Sequence, residues 1–365
     1  MTSVYIHTYS LSKFGKSSKS VRELSRITAK ECLKKFEGKI DLLVISSFAP
    51  ETFTGEYHLS AKIASDLGLK DTFSIRVETA SSTGASGFHV ASKILQGGKY
   101  KNALIIGTEV MTKLNREASN LLLGSVLSET ERSFSMSMMQ GAALICNRYL
   151  SDFKYKKEDL FCIAEKLHQN GLSNPIAHIR KSITKEDYFS APLFSSPLGL
   201  YDISPISDGC CAMILSTEKK SNFLLKGLGC GISNFTPPAT TSFSASKFAF
   251  NMAYRDANLT SSDVRLAELH DAFTIFEAIG AEDGGLFPEG KALGYIKDGY
   301  THPKSHLPIN ASGGLKTRGH PIGASGLSQI AELCNQLQIH NLNIGLTHSI
   351  GGLGTNNFVT LVEQV

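Results

Sequence analysis

The chain has 365 residues, 42% of them apolar and 19% charged, with a mean hydropathy of −0.04. These values exclude a disordered or fibrous polypeptide, and at about 150 residues per domain the length predicts two to three domains. Thirty-seven Lys and Arg against 33 Asp and Glu leave a net charge of +4, too small a surplus to imply a nucleic-acid partner.

Residues 21–36 (VRELSRITAKECLKKF) carry apolar side chains at 21, 24, 27, 33 and 36, which predicts a helix. The run 40–46 (IDLLVIS) suits a buried strand. A helix over 57–66, a strand over 73–78, a helix over about 82–96 and a strand over 103–109 follow. Strand, helix, strand in this rhythm predicts an α/β fold with a mostly parallel sheet. Residues of about 112–200 break the rhythm with polar stretches, a cluster of Met136, Met138 and Met139, and a helix near 140–150. The segment is expected to be an inserted, partly helical region. Strand character returns at 210–217 (CCAMILST). Beyond residue 222, strands are expected over 264–270, 343–349 and 357–363, with helices over 274–281 and 323–338. The plan suggests two similar α/β halves.

No apolar run approaches 18 residues, so no membrane span is expected. The N-terminus lacks a signal-peptide core and the C-terminal LVEQV carries no targeting signal, so a cytoplasmic location is expected. Seven cysteines occur without a CxxC pair, and eleven histidines without an HExxH pair. Neither a disulfide framework nor a metal site is indicated.

Five segments carry chemistry. In VETASSTGASGFHVA (77–91), Ser81 sits where a strand gives way to a helix, and the helix N-terminus offers free N–H groups. Two readings fit it, a nucleophile elbow and an N-cap serine followed by packing glycines. SPISDG (204–209) reads as a turn into a strand. ELHDAF (268–273) delivers His270 and Asp271 from a strand to a helix start, where the histidine either serves chemistry or is a satisfied core group. GGLKTRGHPIGASG (313–326) surrounds His320 with small residues that let a ligand approach the backbone. THSIGGLG (347–354) ends a strand in a glycine turn that is either a hairpin or a source of N–H donors for an anion.

Together these segments resemble the thiolase superfamily over nearly the whole chain. They are most similar to the sterol-carrier-protein-type and archaeal members, in which an HDxF segment replaces NEAF. The resemblance implies a five-layered αβαβα fold of two similar halves, residues 1–221 with a loop domain at about 112–200, and residues 222–365. It implies acyl-CoA acyltransferase activity with a CoA thioester as substrate, no permanently bound cofactor, and a homodimer or homotetramer. Some relatives also assemble with a zinc-ribbon/OB-fold protein, and such a partner is expected here.

Carried over to this sequence, His320 would activate the nucleophile and help form an oxyanion hole, with His270 as its partner in that hole. Gly351 or Gly352 would lend a backbone N–H to a second anion hole, and Ser81 falls where the family has its acyl-accepting cysteine. Arg180, Lys316 and Arg318, with His178 and Lys181, are expected near the CoA phosphates, or else as solvated charges. Met138 is expected beside the pantetheine arm, or else as a helix contact.

The chain departs from the pattern in three places. It has Ser81 for the nucleophilic cysteine, Ala272 in HDAF, and His348-Ser349 in the last turn, so neither catalytic cysteine is present. An acyltransferase with a serine acceptor, a noncovalent retro-aldolase or decarboxylase on a CoA thioester, and a silent CoA-binding or scaffold subunit are therefore all open at this point.

Overall fold

The strongest strands grow from the most apolar runs. LLVIS forms β2 (Leu42–Ser46) and NALIIGTE forms β4 (Asn102–Glu109), and every residue of both is buried. The computed structural model describes residues 2–234 and 240–365. The other strands are β1 (Tyr5–Leu11), β3 (Phe73–Val77), β5 (Leu193–Ser195), β6 (Leu198–Gly199), β7 (Gly209–Ser216), β8 (Phe223–Ile232), β9 (Leu266–Glu268), β10 (Ile344–Gly351) and β11 (Asn356–Gln364).

The helices are α1 (Val21–Leu33), α2 (Pro50–Thr54), α3 (Leu59–Asp66), α4 (Thr83–Gln96), α5 (Arg116–Gly124), α6 (Glu129–Ser133) and α7 (Met138–Phe153). They continue with α8 (Phe161–Gly171), α9 (Lys185–Ser190), α10 (Ser244–Ala257), α11 (Ile275–Asp283), α12 (Ala292–Lys297), α13 (Gly314–Arg318) and α14 (Ile322–His340).

Nine strands run in the order β3-β2-β4-β7-β1-β8-β11-β10-β9. The N-terminal set (β3 to β1) and the C-terminal set (β8 to β9) meet at one register pair, Tyr5 opposite Leu224. The expectation of a mostly parallel sheet is corrected. Among the named strands of the described residues, parallel pairing is confined to β2/β3, β2/β4 and β9/β10. Long connections allow a strand to enter against its neighbour, as β7 does after the insert, and the short link β10–β11 leaves no room for a crossover.

Helices separate the two sets into layers. α1 and α3 cover one face of the N-terminal strands, and α10 and α11 lie outside the C-terminal ones. Between them sit α4 and α14, each touching strands of both sets. The result is αβαβα. The region expected as an insert holds α5 to α9 and the small β5–β6 hairpin.

α4 and α14 pack backbone to backbone. A Cβ on Gly84 would come within 2.6 Å of Leu327 N, and one on Gly326 within 2.3 Å of Ala85 N. The neighbours in both cases are main-chain atoms that cannot rotate away. Gly326→Ala should therefore destabilise the fold by about 1–3 kcal/mol. Thermal and urea denaturation against wild type check this, with no loss as the contrary outcome.

Candidate active site

α4 is preceded by a strained elbow. Ala80 adopts φ of +51° and Ser82 caps the helix, a left-handed residue of the kind that persists only where its surroundings hold it. The neighbours supply that hold. Thr79 N donates to Thr83 Oγ1, Thr83 Oγ1 donates to Ala80 O, and Ser82 Oγ donates to Thr79 O, at 2.9, 2.6 and 2.7 Å. Ser82 and Thr83 are thus structural hydroxyls. Ser81 takes no part in this bracing, is half-buried, and lines a cavity of about 480 Å³.

His320 precedes α14 as Ser81 precedes α4, and it lines the same cavity. Its Nδ1 is 2.7 Å from Ser325 Oγ. His270 follows β9, is buried, and stands edge-on to His320 with ring centroids 5.3 Å apart. The next residue, Asp271, turns away and accepts Leu315 N and Lys316 N at 2.7 and 3.1 Å, which anchors α13 under the histidines. Gly314 is required there, because a Cβ would lie 2.3 Å from Asp271 Oδ2 and φ is +60°.

Burial sets the protonation of the site. It lowers His320 to about 3, with Arg318 adding to the effect. It holds His270 well below the usual histidine range, with His320 and His348 contributing. Both imidazoles are neutral near pH 7. His348, also lowered to about 3 by burial, is engaged with Ser246 Oγ at 2.9 Å and lies outside the cavity. Lys316 lines the cavity and is lowered to about 8 by burial, while its ammonium donates to Leu200 O and Ile203 O at 2.9 and 2.7 Å.

The other predicted site residues are distributed as follows. Met138 and Lys181 line the cavity. Gly351 and Gly352 line a neighbouring cavity of about 680 Å³, which shares Phe48, Ala80 and Val126 with the first. The Gly351 N–H points to Asn357 Oδ1 at 3.3 Å. Arg180 is on the surface with its guanidinium on Leu172 O, and His178 bonds Ser207 Oγ. Arg318 corrects the expectation of a phosphate contact. It is fully buried 3.5 Å from Glu268, so it is a core ion pair.

None of the seven cysteines lines this cavity. Burial pushes Cys32, Cys162 and Cys210 up to about 12. The wall instead carries Ala272. Among the described residues no group of three His, Cys, Asp or Glu could hold a metal ion, and no helix is long and apolar enough to cross a membrane. Sequence reading missed Ser325 and the contribution of α5 (Arg116, Asn120, Leu123) to the wall. The spacing of His320 and Ser325, with the serine inside the first turns of a helix, is the signal that was available for the former.

Comparison with known proteins gives matches over nearly the whole chain. The family model "Thiolase, N-terminal domain" matches residues 4–219, and "Thiolase C-terminal domain-like" matches residues 232–364. The acetyl-CoA acetyltransferase of Methanothermobacter thermautotrophicus is 30% identical over 331 residues, covering 86% of each chain. That of Methanocaldococcus jannaschii is 29% identical over 383 residues, covering 97% of each. Sterol carrier protein 2 of Oryctolagus cuniculus is 29% identical over 82% of this chain and 60% of its own. Two solved structures share the fold. One is described as "Ltp2-ChsH2(DUF35) aldolase" (TM-score 0.84, 19% identity, 100% of this chain and 98% of that one), the other is human mitochondrial 3-ketoacyl-CoA thiolase (TM-score 0.79, 17% identity, 100% and 99%).

The buried histidine makes stability depend on acid. An unfolded chain protonates His320 near pH 6.5 and the folded one only near 3. Between these values folding excludes a proton, so stability falls with falling pH, by up to about 1.4 kcal/mol per unit. Glutamine binds no proton. The stability of wild type relative to His320→Gln should therefore decline as pH falls from 6.5 to 4, read by urea denaturation at each pH. A flat difference would contradict a neutral, buried His320.

Proposed function

The chain belongs to the thiolase family and is acyl-CoA acyltransferase-like, and on that premise we propose that it makes or breaks a carbon–carbon bond on a CoA thioester, with Ser81 as acyl acceptor, His320 as base and His270 as the oxyanion's partner. The observation that carries the reading is the shared cavity of Ser81 and His320, which no thiol lines.

Serine changes what the base must do. A thiol has a pKa of about 8.5, whereas a hydroxyl sits near the value of water, about 15.7. The gap of roughly 7 units corresponds to about 10 kcal/mol. The N-terminus of α4 returns about 0.3–1 kcal/mol, or about 2 when partly buried. The dipole therefore cannot form an alkoxide, and Ser81 must lose its proton during attack. His320 Nε2, which has no protein hydrogen bond among the described residues, faces this task.

A second reading is favoured by one observation. Burial makes His320 a weak base and no carboxylate bonds its Nδ1, which handicaps covalent acyl transfer. A retro-aldol or decarboxylation passes through an enolate held by donors and forms no acyl-enzyme, although the retro-aldol also needs a group such as His320 to take the β-hydroxyl proton.

In either case the pantetheine arm would pass Met138, and Gly351 or Gly352 would serve through the adjoining cavity. A homodimer or homotetramer, a zinc-ribbon/OB-fold partner and a cytoplasmic location complete the proposal, along with a division into halves at about residue 221. The silent-subunit alternative predicts CoA binding without turnover.

Mass spectrometry after incubation with acetyl-CoA separates the two chemistries. An acetyl adduct lost in Ser81→Ala supports the acyltransferase. No adduct, with Ser81→Ala fully active, supports the noncovalent lyase. His320→Gln should lower turnover by about 10²–10⁴ in either case, and an unaffected rate would remove His320 from the chemistry.

A further inference from the structure

Ser325 lies in the first turn of α14, is fully buried and does not line the cavity. Its Oγ is 2.7 Å from His320 Nδ1 and 2.8 Å from Pro321 O. A serine hydroxyl has one hydrogen to donate, so it goes to one neighbour and the choice fixes the imidazole. If the hydroxyl donates to the Pro321 carbonyl, Oγ accepts from Nδ1–H and Nε2 is a bare lone pair. If it donates to Nδ1, the histidine proton sits on Nε2. A neutral His320 has one tautomer or the other.

Two observations favour the first arrangement. A serine bonding back to the carbonyl four residues earlier is an ordinary helical contact, and here it is 2.8 Å long. In addition, Nε2 has no protein partner among the described residues. An orphaned acceptor is tolerated more readily than an orphaned donor.

We propose that Ser325 is a positioning residue that holds His320 in the Nδ1-protonated tautomer, so that Nε2 faces the cavity as a proton acceptor. When Nε2 takes a proton, the imidazolium that forms keeps its Nδ1–H bond to Ser325 Oγ. The residue thereby occupies the place that a carboxylate takes behind a catalytic histidine, without adding charge. The catalytic consequence rests on the function proposed above, but the tautomer does not.

Nitrogen-15 NMR of the histidine-labelled full-length protein reads the tautomer directly, with His320→Gln identifying the resonances. Wild type and Ser325→Thr, which keeps the hydroxyl, should show protonated Nδ1. Ser325→Ala leaves Nδ1 without an acceptor and should shift His320 to protonated Nε2. On a CoA thioester that wild type turns over, Ser325→Ala should lower kcat about tenfold or more with KM little changed, and Ser325→Thr should restore it.

A wild-type His320 protonated at Nε2 overturns the proposal even if the alanine variant does not fold. An unchanged tautomer in Ser325→Ala also overturns it. The expected tautomers in a protein that turns over no CoA thioester would leave this inference standing and count against the proposed function instead.

Discussion

The close crossing of α4 and α14 is the contact on which the site depends. Each helix begins at a reactive side chain, Ser81 before α4 and His320 before α14. Their first turns meet where Gly84 and Gly326 remove the side chains between two backbones. Because protein interiors are close-packed and stiff, that meeting point fixes the two helix starts relative to each other. The cavity is then closed by the insert, whose helices α5 and α7 contribute Leu123 and Met138 to its wall.

Burial makes the chemistry and also limits it. The histidine pair is neutral because charge is costly in this interior. The neighbouring ionisable groups are tied into bonds of their own. Asp271, raised to about 7 by burial, accepts two amides of α13. Glu109, likewise raised to about 7, accepts Phe48 N and Gly323 N at 2.7 and 3.1 Å and so joins the loop after β2 to the start of α14. Arg318 and Glu268 pair beneath them. The site thus combines a rigid, polar underside with an apolar mouth, and a hydroxyl in place of a sulfur. A thiolate would be nucleophilic there unaided, whereas serine makes the identity of the proton acceptor the deciding question.

Much of the fold was legible in the sequence because local pattern and burial agree. The apolar runs of β2 and β4, the helical spacing of α1 and the glycine-rich start of α14 all occupy the elements they predict. Strand direction was not legible. A buried strand reads the same whether its neighbour runs parallel or antiparallel, since the alternation of side chains carries no sign of direction, and β7 and β11 reverse what the rhythm suggested.

For the site, the sequence by itself determined which side chains were available: Ser81 at a strand-to-helix turn, His270 and His320 beside small residues, and no cysteine in either catalytic motif. Residue type and local backbone conformation are properties of a short segment, so they can be read from it. Only the tertiary structure decided which of these groups meet. It brought Ser81, His320, Lys316 and Met138 to one cavity, turned Gly351 and Gly352 to the next, and enclosed Arg318 against Glu268. It also placed Ser325 behind His320. Distances between segments far apart in the chain, and the desolvation that holds the imidazoles neutral, arise from packing the whole molecule, and no local stretch of sequence encodes them.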